Sequence, residues 1–326
     1  MKRNLIIAAV SVLAAGTALA QSSVTIYGRL NTSLESQKNI GAVGTQKVMQ
    51  NNASRLGFKG IEDLGGGLKA EFFLEHRFNS DTGTVTGDFY AGDAFVGLGS
   101  ASLGTVRLGR LTSAAYYATA DFVSLHNHDT GTSEDKLYTY LGQNANTISY
   151  TTPSLGGLTA EASVSAAEGR AIGNKVANLA LNYSLGALEM GLGYELVAGD
   201  RDKQIAIRAN YTVGSLLLGG YYQRSEDKGV GGLGKRDAYR FSVGYTMGAV
   251  ELHGNYGMAD DWSKLRNSDA NQYTLGLNYN LSKRTKLYGF YTVVDNSRGF
   301  SYFGAVDRNG NALKASSLAA GVRHNF

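Results

Sequence analysis

The chain has 326 residues, 43 of them glycine and 20 tyrosine, with one tryptophan, one proline and no cysteine. Without cysteine there is no disulfide framework, zinc ribbon, iron–sulfur centre or cysteine nucleophile, and a single proline excludes a collagen-like chain. The formal net charge of +4 comes from mixed signs without a basic run, so nucleic acid is not an expected partner.

In chain order the first element is a leader. Met1-Lys2-Arg3 is a basic start, Leu5 to Leu13 form an apolar run with one serine, and Thr17-Ala18-Leu19-Ala20 ends in an A-x-A pattern. That layout predicts a Sec signal peptide over residues 1–20, too short and wrongly flanked for a spanning helix. Its removal takes Lys2 and Arg3 away, so part of the net positive charge is leader. No later stretch approaches 18 consecutive apolar residues, which excludes a helical membrane protein.

Period-two alternation then recurs along residues 21–326. Ile205, Ile207, Ala209, Tyr211 and Val213 alternate with Gln204, Ala206, Arg208, Asn210 and Thr212, and Met190, Leu192 and Tyr194 alternate with Glu189, Gly191, Gly193 and Glu195. One face is apolar and the other small or polar, the signature of a strand. Sixteen such segments are predicted, at 23–36, 51–61, 67–78, 88–99, 104–110, 145–152, 157–166, 175–185, 187–198, 202–213, 216–226, 235–247, 249–260, 270–281, 284–295 and 314–326. Leu216-Leu217-Leu218 blurs the phase of one of them. Most exceed the usual five or six residues and suit tilted strands crossing a bilayer.

The connections alternate in length. Tight turns at 64–67, 100–103, 153–156, 186, 214–215, 248 and 282–283 are interleaved with longer polar loops near 37–50, 79–87, 111–144, 167–174, 199–201, 227–234, 261–269 and 296–313. Hydrocarbon offers no hydrogen-bond partners, so strands can span it only as a closed barrel, and short turns on one side with long loops on the other are its outer-membrane form. The predicted fold is all-β: a transmembrane antiparallel β-barrel of sixteen strands, wide enough for water.

Several segments carry a further likeness. Val24-Thr25-Ile26-Tyr27-Gly28-Arg29, Ser54-Arg55-Leu56-Gly57-Phe58-Lys59-Gly60 with Glu62-Asp63-Leu64-Gly65-Gly66-Gly67-Leu68, Ala94-Phe95-Val96-Gly97-Leu98, Leu108-Gly109-Arg110, Leu281-Ser282-Lys283-Arg284-Thr285 and the terminal Gly321-Val322-Arg323-His324-Asn325-Phe326 resemble the Gram-negative general porins, β-proteobacterial type above all. The resemblance implies a homotrimer of water-filled channels in the outer membrane, in contact with its lipid and lipopolysaccharide. It also implies an inward-folded third loop, here about 111–144, with acids Asp121, Asp129, Glu134 and Asp135. Facing them are bases that phase places inside: Arg29, Arg55, Lys59 and Arg77, with Arg110 carried from the family pattern. Phe326, preceded at two-residue steps by His324, Val322, Ala320 and Leu318, resembles the signal read by the barrel assembly machinery.

Two departures from the family temper the charge. Gly92-Asp93 and Gln143-Asn144 stand where many relatives carry bases, so at most a mild anion preference is expected. Neither an aromatic slide nor a dense arginine track is clear. Gly229 to Lys235 satisfies G-x-G-x-x-G but sits between strands with Arg236 where a P-loop needs Ser or Thr, so it is read as an outer loop. His126-x-His128 beside Asp129 has ligand chemistry, yet no partner for the imidazoles is readable, so they are taken as pore lining and no metal or cofactor is expected. No catalytic Ser/His/Asp constellation is present, so the chain is not read as an enzyme. The expected function is passive passage of ions and small hydrophilic solutes. The alternatives are a substrate-specific channel and an adhesin whose loops contact a host or ligand.

Overall fold

The computed structural model describes residues 23–326 apart from 124–130, 141–142, 167, 169–174, 199–201 and 230. The expected leader at 1–20, His126, His128, Asp129 and most of the loops at 167–174 and 199–201 lie outside the described residues. Among the described residues no helix is long and apolar enough to cross a membrane.

Seventeen strand segments form one antiparallel sheet: β1(Ser23–Lys38), β2(Thr45–Asn51), β3(Arg55–Gly65), β4(Leu68–Arg77), β5(Ala94–Ser100), β6(Gly104–Thr112), β7(Gln143–Thr151), β8(Leu158–Ser165), β9(Lys175–Leu185), β10(Leu188–Ala198), β11(Lys203–Val213), β12(Leu216–Asp227), β13(Gly234–Met247), β14(Val250–Ala259), β15(Ala270–Asn280), β16(Thr285–Asn296) and β17(Ala315–Asn325). From β3 onward each pairs with the next around the ring, and β17 returns to β1 with Arg29 opposite Asn325. The barrel is therefore closed. β2 and β3 share β1 as neighbour, Thr45–Asn51 beside its second half and Arg55–Gly65 beside its first. They make one stave interrupted at Asn52-Ala53-Ser54, where Ala53 takes φ 57°. Counted this way the barrel has sixteen staves.

What is buried identifies the solvent on each side. On β11, Gln204, Arg208 and Asn210 are buried while Ile205, Ile207, Tyr211 and Val213 are exposed. Arg240, Gln204, Gln223, Gln272 and Glu195 are among the largest fully buried side chains of the molecule, and Leu275, Phe241 and Leu318 are about 60% exposed. This inverts a water-soluble protein, and it is what a wall with hydrocarbon outside and a hydrated lumen inside requires.

Three sequence expectations are corrected. The loop near 37–50 shrinks to residues 39–44, because Thr45–Asn51 pairs with β1. Adjacent Val48-Met49 breaks the alternation that would have announced that strand. The strand expected from 88 starts only at Ala94, and the loop expected at 111–144 narrows to residues 113–142 because β6 and β7 pair further along. Leu216-Leu217-Leu218, despite its blurred phase, pairs in register on both sides. At the tight end, Gly186, Gly214 and Gly248 open two-residue hairpins with φ of 58°, 56° and 55°, a conformation that costs other residues a Cβ clash.

Phe326 helps close the ring. Its N–H donates to Gly28 O at 3.1 Å, Gly28 N–H donates back at 3.0 Å, and a Cβ at Gly28 would stand 2.3 Å from the Phe326 ring. Deleting Phe326 is expected to lower outer-membrane insertion severalfold while channels that do form conduct normally. Heat-modifiable migration of membrane fractions measures the first, and single-channel recording the second. Normal assembly of the truncated chain would count against the terminal signal.

Candidate functional site

The described parts of the segment between β6 and β7, residues 113–123 and 131–140, are fastened to the inner wall at several points. Ser113 starts it by capping the helical turn Ala114–Ala118, accepting from Tyr116 N at 3.3 Å, and its Oγ stands 3.1 Å from both Asn178 Oδ1 and Glu195 Oε2. The turn lies on small residues. Ala114 and Ala118 pack on Ala180, and a Cβ on Gly191 or Gly193 would come within 1.8 Å of Ala118 O or 2.6 Å of Ala115 O. Arg208 Nε then donates to Ala118 O at 2.6 Å. Further on, Thr132 Oγ1 donates to Glu35 at 2.7 Å, Gln272 binds Glu134 O at 2.8 Å and Lys136 N at 2.9 Å, and Gln223 brackets Thr139 through its N–H and its carbonyl. The loop thus touches the inner faces of β1, β9 to β13 and β15.

Asp135 is the tightest of these ties. It meets Arg240 at 2.9 Å, with side chains 5% and 1% exposed. Its carboxylate also accepts from the Tyr221 hydroxyl and from the N–H groups of Leu137 and Tyr138 at 3.0 and 3.2 Å. Burial alone would raise this carboxyl, but Arg240 and those donors outweigh it and hold it below the ordinary carboxylate range. Arg236 adds a second clasp, donating to Leu137 O while its guanidinium lies between Trp262 and Tyr302 at 4.8 and 5.0 Å.

On the opposite wall the bases form a row. Arg77 is register partner of Arg55, and Arg55 of Arg29. Across the closure Arg323 stands opposite Asn31, and Lys286 opposite Arg323. The row rises obliquely from the second residue of β16, at the tight-turn end, to the last residue of β4, at the long-loop end. Like charges directly opposite each other destabilise a sheet, so folding does not account for it. Glu75 offsets part of it, 3.6 Å from Arg55 and 3.1 Å from Arg77.

Between wall and loop lies a cavity of about 780 Å³, lined by Arg29, Arg55, Arg77 and Arg323 on the wall and by Tyr116, Tyr117, Asp121, Glu134, Asp135, Lys136, Tyr138 and Tyr140 of the loop, with Tyr302 above. Burial pushes the Tyr140 phenol up to about 12, so it adds no negative charge near neutrality.

Of the residues singled out in the sequence, Arg29, Arg55, Arg77, Asp121, Glu134 and Asp135 meet at this cavity. Asp135, however, is engaged by Arg240, and Glu134 by Lys136. Lys59 points inward but stands outside the cavity, its Nζ 5.3 Å over the Tyr27 ring. Arg110 is not among the lining residues of this cavity: the register slips between Gly109 and Leu111, and the guanidinium stands 3.9 Å from Asp88 and 3.5 Å from Ala91 O. Sequence reading missed Arg323, although the two-step series from Leu318 through His324 to Phe326 leaves it on the opposite face of the strand. It also missed Arg208, Arg236 and Arg240, whose strand phase pointed inward just as plainly.

The family model for Gram-negative porins matches residues 7–299. The chain belongs to the Gram-negative porins. Outer membrane porin protein 32 of Delftia acidovorans is 34% identical over the full length of both chains. An anion-selective porin from Comamonas acidovorans has a solved structure that superposes with a TM-score of 0.80 at 28% identity, covering 94% of this chain and 100% of that one. OmpT of Vibrio cholerae, described in a trimer form, shares the fold at a TM-score of 0.70 and 16% identity, over 94% of this porin and 99% of that chain. The porin is thus an outer-membrane diffusion channel, and its lumen is the functional site.

Proposed function

We propose that this porin is a trimeric general diffusion channel with a modest preference for anions, set where Arg29, Arg55, Arg77 and Arg323 face Asp121 and Glu134 across the narrow cavity. The observation that carries the reading is the register-connected row of bases, which has no folding rationale and looks into water. A solute in that gap crosses a field directed from wall to loop. Hydrated ions tolerate it, whereas an apolar solute must displace oriented water. The preference is modest because the loop acids and Glu75 offset part of the positive wall. Anion selectivity in the Comamonas acidovorans relative and the trimer form of OmpT are consistent with this reading.

The test is recording in planar bilayers. Insertion is expected in steps of three equal conductances, and a tenfold potassium chloride gradient should give a reversal potential of the sign for chloride preference, well short of the ideal value. A cation-preferring reversal potential, or an absent pore, would sink the proposal.

A further inference from the structure

We propose that the lumen wall carries a seat for small aromatic carboxylates, formed by Tyr27, Phe73 and Phe95 on the tight-turn side of the arginine row; its charged half rests on the anion-preferring reading above. Tyr27 lies on β1 two residues before Arg29, and Phe73 on β4 four residues before Arg77, each on the inward phase. Phe95 is the register partner of Phe73. The Tyr27 and Phe73 rings are 5.4 Å apart and tilted by 38°, and Phe73 and Phe95 are 5.6 Å apart and within 4° of parallel. Three partly exposed rings thus make a continuous strip on a wall otherwise covered by polar side chains.

The strip is built into the backbone. Tyr27 lies flat because the inward position beneath it is Gly57, where a Cβ would stand 2.3 Å from the ring. Cations close both ends: Lys59 Nζ is 5.3 Å over the Tyr27 ring, and Arg107 Cζ is 5.4 Å over Phe95. Glu71 engages Arg107 at 2.7 Å. Glu75 joins the strip to the row, accepting from Tyr27 OH at 3.2 Å and pairing with Arg55 and Arg77. Apolar rings facing lumen water gain by covering their faces, and aromatic partners do this in offset or near-parallel stacks. With bases at its ends and along its upper edge, the strip favours a ring that carries a negative group, its carboxylate turned to Lys59 or Arg55. A planar aromatic acid leaving the narrow cavity would dwell here, whereas acetate would not.

The probes are benzoate, acetate and benzylammonium, added on the tight-turn side of the whole porin in planar bilayers at fixed chloride. Benzoate should interrupt the current at about tenfold lower concentration than acetate, the size of one aromatic stacking contact. Phe73→Ser with Phe95→Ser should abolish that difference at unchanged chloride conductance. Phe73→Leu with Phe95→Leu, which keeps apolar packing if the serine pair assembles poorly, should reduce it severalfold. Equal action of benzoate and acetate on the wild type overturns the seat, as does benzylammonium acting as strongly as benzoate, or full discrimination surviving in the leucine pair. The reversal potential in the same membranes reports anion preference independently, so a porin that prefers chloride but does not discriminate benzoate leaves the channel reading intact and rejects only the seat.

Discussion

Replacing Arg29, Arg55, Arg77 and Arg323 together by glutamine should reverse the sign of the reversal potential, turning an anion-preferring channel into a cation-preferring one. The four supply most of the positive charge of the cavity lining, and Asp121, Glu134, Asp135 and the adjacent Glu75 remain. A unit charge 4 Å from a passing ion contributes about 1 kcal/mol in water, roughly a fivefold change in local ion concentration. Salt screens this, with a Debye length of about 10 Å at 0.1 M, so the reversal should be largest in dilute electrolyte and fade toward molar salt. Single replacements should show graded effects. Each of Arg29→Gln, Arg55→Gln, Arg77→Gln and Arg323→Gln should move the reversal potential part of the way, in the same direction as the quadruple variant. An unchanged reversal potential in the quadruple variant, with conductance retained, would place the selectivity elsewhere.

Asp135→Asn should release the loop from the far wall. Arg240 would then be a charge buried at 1% exposure without its carboxylate, and breaking such a pair from one side costs about 3–5 kcal/mol. The expected result is larger, noisier single-channel current and a lower temperature for loss of the folded barrel band. Tyr221→Phe, which removes one neutral donor to the same carboxylate, should cost about 1 kcal/mol and leave conductance near the wild-type value. Because the Asp135 carboxyl is held below its ordinary range in the folded chain, its stabilisation is complete above the unfolded value near 3.9 and is lost only as pH falls through the lower folded value. Loop-dependent conductance should therefore hold steady from neutral pH down to about 4 and change only in stronger acid. A wild-type current trace from Asp135→Asn at neutral pH would show that the pair does not hold the loop.

Much of this was legible in the chain. Alternation such as Ile205 to Val213 against Gln204 to Thr212 gives strand, phase and membrane face together, since hydrocarbon and water impose opposite demands on the two sides. Phase alone placed Arg29, Arg55 and Arg77 inside. Phase does not say which inward residues meet across the lumen. Asp135 reads as a pore acid until β13 brings Arg240 against it, and the aromatic strip joins rings from β1, β4 and β5. Pairing of backbone groups, which carries no residue signature, is what recruits Thr45–Asn51 to the wall. Arg110, carried from the family pattern and not from phase, sits where the register slips, and one slipped residue re-aims a side chain.

The missing side chains at Gly191 and Gly193 have a comparative consequence. The loop's first turn seats against β10 only because those two positions leave room for the carbonyls of Ala115 and Ala118. The wall therefore bears the imprint of the loop. A related barrel with valine or threonine at these places could superpose strand for strand and still be forced to route the segment differently. Its aperture would have another outline, and sieving by shape would diverge between relatives whose scaffolds look the same.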